Sequence, residues 1–172
     1  MPYLVDTVTT PWGGVVKYGY NTFYKACGVG HKLVGAVSSK KVSGKGLAQG
    51  TWSYYYAAAS GYASTTIHDS DGRTTTHKFY GYGNIPTNTY ANDKCYLYGL
   101  PMSKKVVKGS VTEEETTYQW SRLATPISST LTDGVPYVCM DSKTYAPVKT
   151  SEIYARGGKN YTTNYSNFDD YG

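Results

Sequence analysis

The 172-residue sequence is poor in the aliphatic residues on which helical proteins depend. Leu and Ile together number only eleven, whereas a helical bundle needs a Leu-rich stripe along each helix. No stretch of the sequence approaches the roughly 18 consecutive apolar residues of a membrane-spanning helix. These two shortages argue against a helical bundle and against a helical membrane span.

Charged residues are also scarce, at 17% of the chain, and the formal net charge of +5 is unevenly distributed. Residues 1–68 hold six Lys and a single acid, Asp6, whereas the acids and bases of residues 69–172 balance. A basic half can attract anionic glycans or nucleic acid, but lysines also protect strand edges from unwanted pairing. We favour edge protection because the lysines are scattered. Only three Arg are present in the whole chain, which argues against nucleic acid as a partner.

The sequence also lacks the spacings that mark metal and catalytic sites. Cys27, Cys95 and Cys139 form no C-x-x-C pair, so zinc is not indicated. We interpret the three as small buried apolar residues, with one disulfide and a spare thiol as the alternative. The sequence contains no G-x-S-x-G, H-E-x-x-H or Walker motif. We therefore predict no enzyme activity, no metal and no cofactor.

Tyrosine and glycine are abundant instead, at 20 and 19 residues. Tyr, Thr and Val favour pleated, half-buried strands, and turn signals such as Asp71-Gly72 and Gly157-Gly158 recur every eight to twelve residues. This pattern predicts an all-β protein in which consecutive antiparallel hairpins form one curled meander sheet. We expect a single domain over residues 1–172, and a β-sandwich or barrel is the alternative architecture.

The clearest predicted hairpin joins residues 64–68 to residues 74–80. Asp71-Gly72 suits a type I′ turn, in which both central residues have positive φ. That turn would place His68 opposite Thr75, and His77 opposite Thr66. The two histidines would then not face each other, so no two-His metal site is expected across this hairpin.

Three further hairpins are predicted. The first runs from residues 96–107 to residues 116–120 and turns at Lys108-Gly109 or at the acidic run 113–115, which we interpret as a charged hairpin tip. The second joins residues 135–138 to the segment near Tyr145. The third pairs residues 151–155 with residues 160–165.

Residues 69–84 and 158–172 share a sequence pattern: a Gly turn, a Thr- and aromatic-rich strand, and another Gly turn. The sequence here resembles the RHS, or YD-repeat, family, whose signature is an aromatic residue, Asp, two variable residues and Gly after an alternating Tyr/Thr strand. The matching residues near the end of the sequence are Tyr161, Thr163, Tyr165, Phe168, Asp169 and Gly172. Asp71, Gly72 and Arg73 resemble the family's Gly-Arg-x-Thr hairpin start. The resemblance covers residues 46–172 and leaves residues 1–45 as unassigned leading strands.

This resemblance implies a non-enzymatic segment of a β shell that encapsulates or presents a toxin or partner. Its partners would be the rest of a larger RHS-type polypeptide or the toxin cargo, and self-association is expected of a fragment. The family's Asp-Pro-rich core motif and toxin domain are absent from the sequence, which suggests a fragment. Residues 1–6 resemble no signal peptide. We therefore expect an extracellular or cell-surface location as part of an exported protein, or a cytoplasmic one for a fragment.

A free-standing β-rich adhesin, virion or glycan-binding module is the alternative function. Exposed aromatic rings make stacking platforms for sugars. The candidate stacking residues are Trp12, Trp52, Trp120, Tyr54 and Tyr56. Packing between layers of a curled sheet is the structural alternative for these side chains.

Overall fold

The computed structural model describes residues 4–27, 30–44, 48–59, 62–80, 95–97, 99–128 and 144–168. Within them lie a 3-10 turn, Cys95–Leu97, and ten strands. The strands are β1 (Thr7–Thr9), β2 (Val15–Cys27), β3 (Gly30–Ser43), β4 (Gly50–Ala59), β5 (Tyr62–His68), β6 (Arg73–Tyr80), β7 (Pro101–Lys108), β8 (Val111–Ser128), β9 (Thr144–Arg156) and β10 (Lys159–Asn164). All ten form one sheet in chain order, each strand antiparallel to the next. The sheet is open, which confirms the predicted all-β meander and not the sandwich or barrel alternative.

The sheet is essentially a single layer. Its principal contacts join strands that are neighbours in the sheet, together with β9 and the 3-10 turn. Val106 and Val148 are the buried hydrophobic side chains of the described residues, and Thr116 and Ser151 are the buried polar ones. In the part of the sheet whose burial is described, stability therefore comes from cross-strand pairs rather than from one central core.

Glycines set two of the tight turns as the sequence predicts. Gly157 and Gly158 have φ of 58° and 74°, which suits a type I′ turn between β9 and β10. Gly109 alone has positive φ, 59°, in the turn that joins β7 to β8, as a type II′ turn requires. This confirms the predicted turn at Lys108-Gly109.

Two details of the β7–β8 hairpin differ from the prediction. Tyr96 and Leu97 belong to the 3-10 turn, and the outgoing strand begins only at Pro101. The acidic residues 113–115 lie within β8 rather than at the hairpin tip. Glu113 is the extra residue where the β7–β8 register shifts, so the ladder continues past the acidic run instead of ending there.

The predicted register of the β5–β6 hairpin is wrong by one residue. His68 pairs with Thr74, and His77 pairs with Thr65. Gly72 has positive φ, 76°, but Asp71 does not, so the connection is a three-residue loop ending in a left-handed glycine rather than a type I′ turn. The prediction that the two histidines do not face each other holds.

Some predicted features lie outside the described residues. These are residues 135–138 of the second additional hairpin, Cys139, and the motif residues Asp169 and Gly172. Residues 135–138 were predicted to pair with the segment near Tyr145, and Tyr145 lies in β9.

Candidate functional site: the aromatic face of the sheet

Strand alternation divides the aromatic side chains between the two faces of the sheet. Along β4, Trp52, Tyr54 and Tyr56 project to one face and Tyr55 projects to the other. Pairing extends this division across the sheet, because directly opposite residues share a face. We call the first side the aromatic face. It carries Tyr18, Tyr20, Trp52, Tyr54, Tyr56, His77, Phe79, Tyr118, Trp120, Tyr154, Tyr161 and Tyr165.

A single row of paired residues shows the continuity of this face. It runs through Tyr56, Thr65, His77, Lys104, Thr116, Tyr154 and Tyr161. The neighbouring row on the opposite face runs through Tyr55, Thr66, Thr76, Lys105, Glu115, Ala155 and Asn160. The row on the aromatic face has tyrosines at both of its ends. The row on the opposite face consists mainly of residues with hydroxyl or charged side chains.

One cluster of aromatic residues lies on β2 and β4. Tyr18 pairs with Lys40 on β3, and Lys40 pairs with Trp52 on β4. The Lys40 ammonium lies 5.1 Å from the Trp52 ring centroid, within cation–π range. Burial raises the pKa of Tyr54, and the nearby Tyr18 phenol raises it further. Burial likewise raises the pKa of Tyr56, with a smaller effect from Tyr54, so both phenols are partly desolvated.

A second cluster on β8 and β9 and just past β10 surrounds the ammonium of Lys149. This Nζ lies 2.8 Å from Glu152 Oε2, 5.8 Å from the Tyr118 ring centroid and 4.6 Å from that of Tyr165. Hydrogen bonds to Glu152, and then to Tyr165, raise the pKa of Lys149. The ammonium therefore stays charged and is held among carboxylate and aromatic groups of the same sheet.

His77 lies between the two clusters. Its ring stacks on that of Phe79, with centroids 6.5 Å apart and an interplanar angle of 19°. Desolvation lowers the pKa of His77 below its usual 6.5, and the charge of Lys104 opposite lowers it further. His68 lies on the other face, hydrogen-bonded to Thr74, so the fold separates the two histidines.

We expect mild acid to destabilise the sheet through His77. The unfolded chain binds a proton at His77 more tightly than the folded chain does, so the stability linked to the neutral ring is present above pH 6.5 and is lost as the pH falls below it. Urea unfolding should therefore show a smaller loss of stability between about pH 7 and about pH 5.5 in His77→Gln than in the wild type. The exposed His68→Gln is the matched control, and equal losses in wild type and His77→Gln would contradict this assignment.

The structure groups some of the predicted stacking residues and separates others. Trp52, Tyr54 and Tyr56 lie together on β4, as the alternation predicts. Trp120 is on the same face but four strands away, and its Nε1 donates a 2.8 Å hydrogen bond to the Pro101 carbonyl. Trp12 lies in the β1–β2 turn and is 82% exposed.

The residues of the predicted repeat motif lie at strand and turn positions. Asp71 and Gly72 are in the β5–β6 loop, and Arg73 begins β6. Its Nε donates to Glu113 Oε2 at 2.7 Å. Asp69 was not among the predicted motif residues, yet its Oδ1 accepts hydrogen bonds from the backbone N–H groups of Asp71 and Arg73. An Asp three residues before a turn glycine is the available signal, because Asp side chains commonly bond to nearby backbone amides.

The remaining motif residues lie on or beyond the final strand. Tyr161 and Thr163 are on β10 and share the aromatic face, as predicted for this strand. The Tyr161 ring is 6.2 Å from that of Tyr154 across the strand pair. Tyr165 and Phe168 follow the strand, and the Tyr165 amide donates to the Thr150 carbonyl at 2.9 Å.

A cavity of about 540 Å³ opens on the aromatic face near the β7–β8 and β9–β10 turns. Arg73, Val106, Glu113, Glu114 and Arg156 are among its lining residues. Arg73 pairs with Glu113 at 2.7 Å, and Arg156 lies 3.9 Å from Glu114. Because its charges are already paired, the cavity does not present a free carboxylate couple for acid–base chemistry.

Two further features bear on the kind of site that this sheet can form. In the described ranges, no three or more His, Cys, Asp or Glu side chains are grouped so that they could hold a metal ion. The same ranges contain no helix with the length and apolarity needed to cross a membrane.

The chain matches no protein-family model, and no curated protein or solved structure matches it significantly.

Proposed function

We propose that the chain is a non-enzymatic structural segment of an RHS/YD-repeat-like β shell. Its aromatic face would be covered by the rest of a larger RHS-type polypeptide or by its toxin cargo. The observation that carries this proposal is the concentration of aromatic side chains on one face of a single-layer sheet. A face of this kind gains stability when a second protein layer removes it from water.

The exposure of individual rings supports this proposal. Tyr161 is 56% exposed, Tyr56 41% and Tyr165 37%, all on the aromatic face. Tyr161 and Tyr165 lie at the β10 end of this face, and Tyr56 lies six strands away on β4. Exposed apolar surface can mark interaction sites in soluble proteins. Among the ten described strands, none pairs with the outer side of β1 or of β10, and unpaired strand edges accept further strands.

Self-association of the purified chain tests this proposal. Without its covering layer, the aromatic face should pair with another copy, and mass from light scattering should rise with protein concentration. Tyr161→Ser should weaken this association about tenfold. The substitution removes the exposed part of the Tyr161 ring, roughly half of its surface, which would otherwise be buried in the interface. Tyr55→Ser is the matched control, because Tyr55 is 59% exposed on the opposite face. A chain that stays monomeric at all concentrations, or equal effects of the two variants, would contradict the proposal.

A glycan-binding module is the second candidate. It is favoured by the grouping of Trp52, Tyr54 and Tyr56 beside the Lys40 ammonium, since adjacent rings and a cation can hold a sugar through stacking and hydrogen bonds. A monomeric chain with a specific glycan-array signal that disappears in Trp52→Ala would support this function over the structural one.

A further inference from the structure

Two lysines face each other directly on the side of the sheet away from the aromatic face. Lys17 on β2 pairs with Lys41 on β3, and the same row continues to Thr7 on β1 and Thr51 on β4. Both lysines are exposed. Like charges placed directly opposite each other in an antiparallel pair are destabilising.

Neither lysine is neutralised within the described part of the chain. No ion pair joins Lys17 or Lys41 to an acid there. Asp6, the single acid of residues 1–68, accepts a hydrogen bond from the Thr7 hydroxyl instead. The pair is thus a local concentration of positive charge with no internal partner.

Hydroxyl groups adjoin this charge on the same face. Gly19 lies two residues along β2 from Lys17 and has no side chain, so serine hydroxyls fill the space beside it. The Oγ atoms of Ser39 and Ser38 lie 2.5 and 3.4 Å from the position that a Gly19 Cβ would occupy. Ser39 pairs with Ser53 on β4. Two residues further along β4 is Tyr55, whose exposed ring meets His68 edge-on at 5.2 Å. We call Lys17, Lys41, Ser39, Thr51, Ser53 and Tyr55 the lysine patch.

We propose that the lysine patch binds an acidic polysaccharide through the sulfate or carboxylate groups of its sugars. The two ammonium groups would each donate to an anionic group, the hydroxyls would bond to sugar hydroxyls, and Tyr55 would supply an apolar ring face. Charge complementarity selects a polyanion, and the absence of Arg from residues 1–68 favours a glycan over nucleic acid, whose phosphates and bases Arg recognises best. This proposal is independent of the covering of the aromatic face.

A titration of the full chain with fluorescent heparin oligosaccharide, followed by anisotropy, tests the proposal. The double variant Lys17→Gln/Lys41→Gln should bind at least about tenfold more weakly, since each lysine loses a charge-assisted hydrogen bond. The matched control is Lys108→Gln/Lys159→Gln, because it removes the same two charges from exposed positions on β7 and β10, and it should bind within about twofold of wild type. Binding should also weaken as salt is raised.

Unfolding of the variants separates binding from stability. The double variant should unfold at a temperature no lower than the wild type, because the substitutions remove a like-charge pair. Hyaluronan in place of heparin distinguishes the two anionic groups, since it carries carboxylates but no sulfates, and binding of either polymer supports the proposal. The proposal is overturned by a folded chain that binds neither polymer, by an equal loss in Lys108→Gln/Lys159→Gln, by equal affinity for neutral dextran, or by tighter binding of a single-stranded oligonucleotide of matched charge.

Discussion

Val106→Asp is expected to lower the free energy of unfolding by about 4 kcal/mol, because it places an uncompensated charge at a buried position. Val106 is only 8% exposed and is one of the two buried hydrophobic side chains of the described residues. Its direct partner on β8 is Glu114, so the new carboxylate would also face a like charge. Urea unfolding followed by circular dichroism measures the difference.

The matched control for this change is Val111→Asp. Val111 lies in the same hairpin but is 63% exposed, so the carboxylate stays hydrated and the expected loss is about 1 kcal/mol or less. Similar losses in the two variants would mean that Val106 contributes no more to stability than a surface residue, contrary to the burial pattern of the sheet.

Gly44→Ala is expected to lower the free energy of unfolding by about 3 kcal/mol or more, through backbone strain together with a steric clash. The φ of Gly44 is 112°, a conformation that L side chains rarely adopt. A Cβ there would lie 2.6 Å from the Gly13 carbonyl oxygen and 2.8 Å from the Gly14 Cα. Because both contacts are with backbone, no side-chain rotation relieves them. Thermal and urea unfolding should both report the loss.

Gly157→Ala is the matched control, because it introduces the strain of an alanine at positive φ without a steric clash. Gly157 has φ of 58°, and no heavy atom lies within 4 Å of its Cβ position. The expected loss is therefore only about 1 kcal/mol, the usual cost of a left-handed alanine. Equal losses for Gly44→Ala and Gly157→Ala would show that the approach of residue 44 to the β1–β2 turn is unimportant.

Much of the architecture follows from composition and turn residues alone. The scarcity of Leu and Ile, the many tyrosines and the regular glycines predicted consecutive antiparallel hairpins, and the order of the strands confirms them. Alternation also predicted that Tyr54 and Tyr56 share a face and that Tyr161 and Thr163 do. These features are predictable because each depends on residues that are near neighbours in the chain.

The sequence pattern did not predict features that depend on particular side-chain hydrogen bonds or on strand register. The register of the β5–β6 hairpin depends on Asp69, whose carboxylate holds the amides of Asp71 and Arg73 and so favours a three-residue loop. Glu113, within β8, forms an ion pair with Arg73, which is 40 residues away in the sequence and so beyond the reach of a local pattern. Likewise, the pairing of Lys17 with Lys41 requires the β2–β3 register, which includes a shift between Gly19 and Tyr20.

Because each strand mainly contacts its two neighbours, the number of strands is not fixed by any closed geometry. A hairpin duplicated within the gene could be inserted into the series, with the surrounding ladders re-forming on either side of it. In a barrel or a sandwich, the same insertion would disturb a closed circuit or a shared interior. A protein built in this way can change its span by whole hairpins over evolution while keeping the chemical character of its two sides.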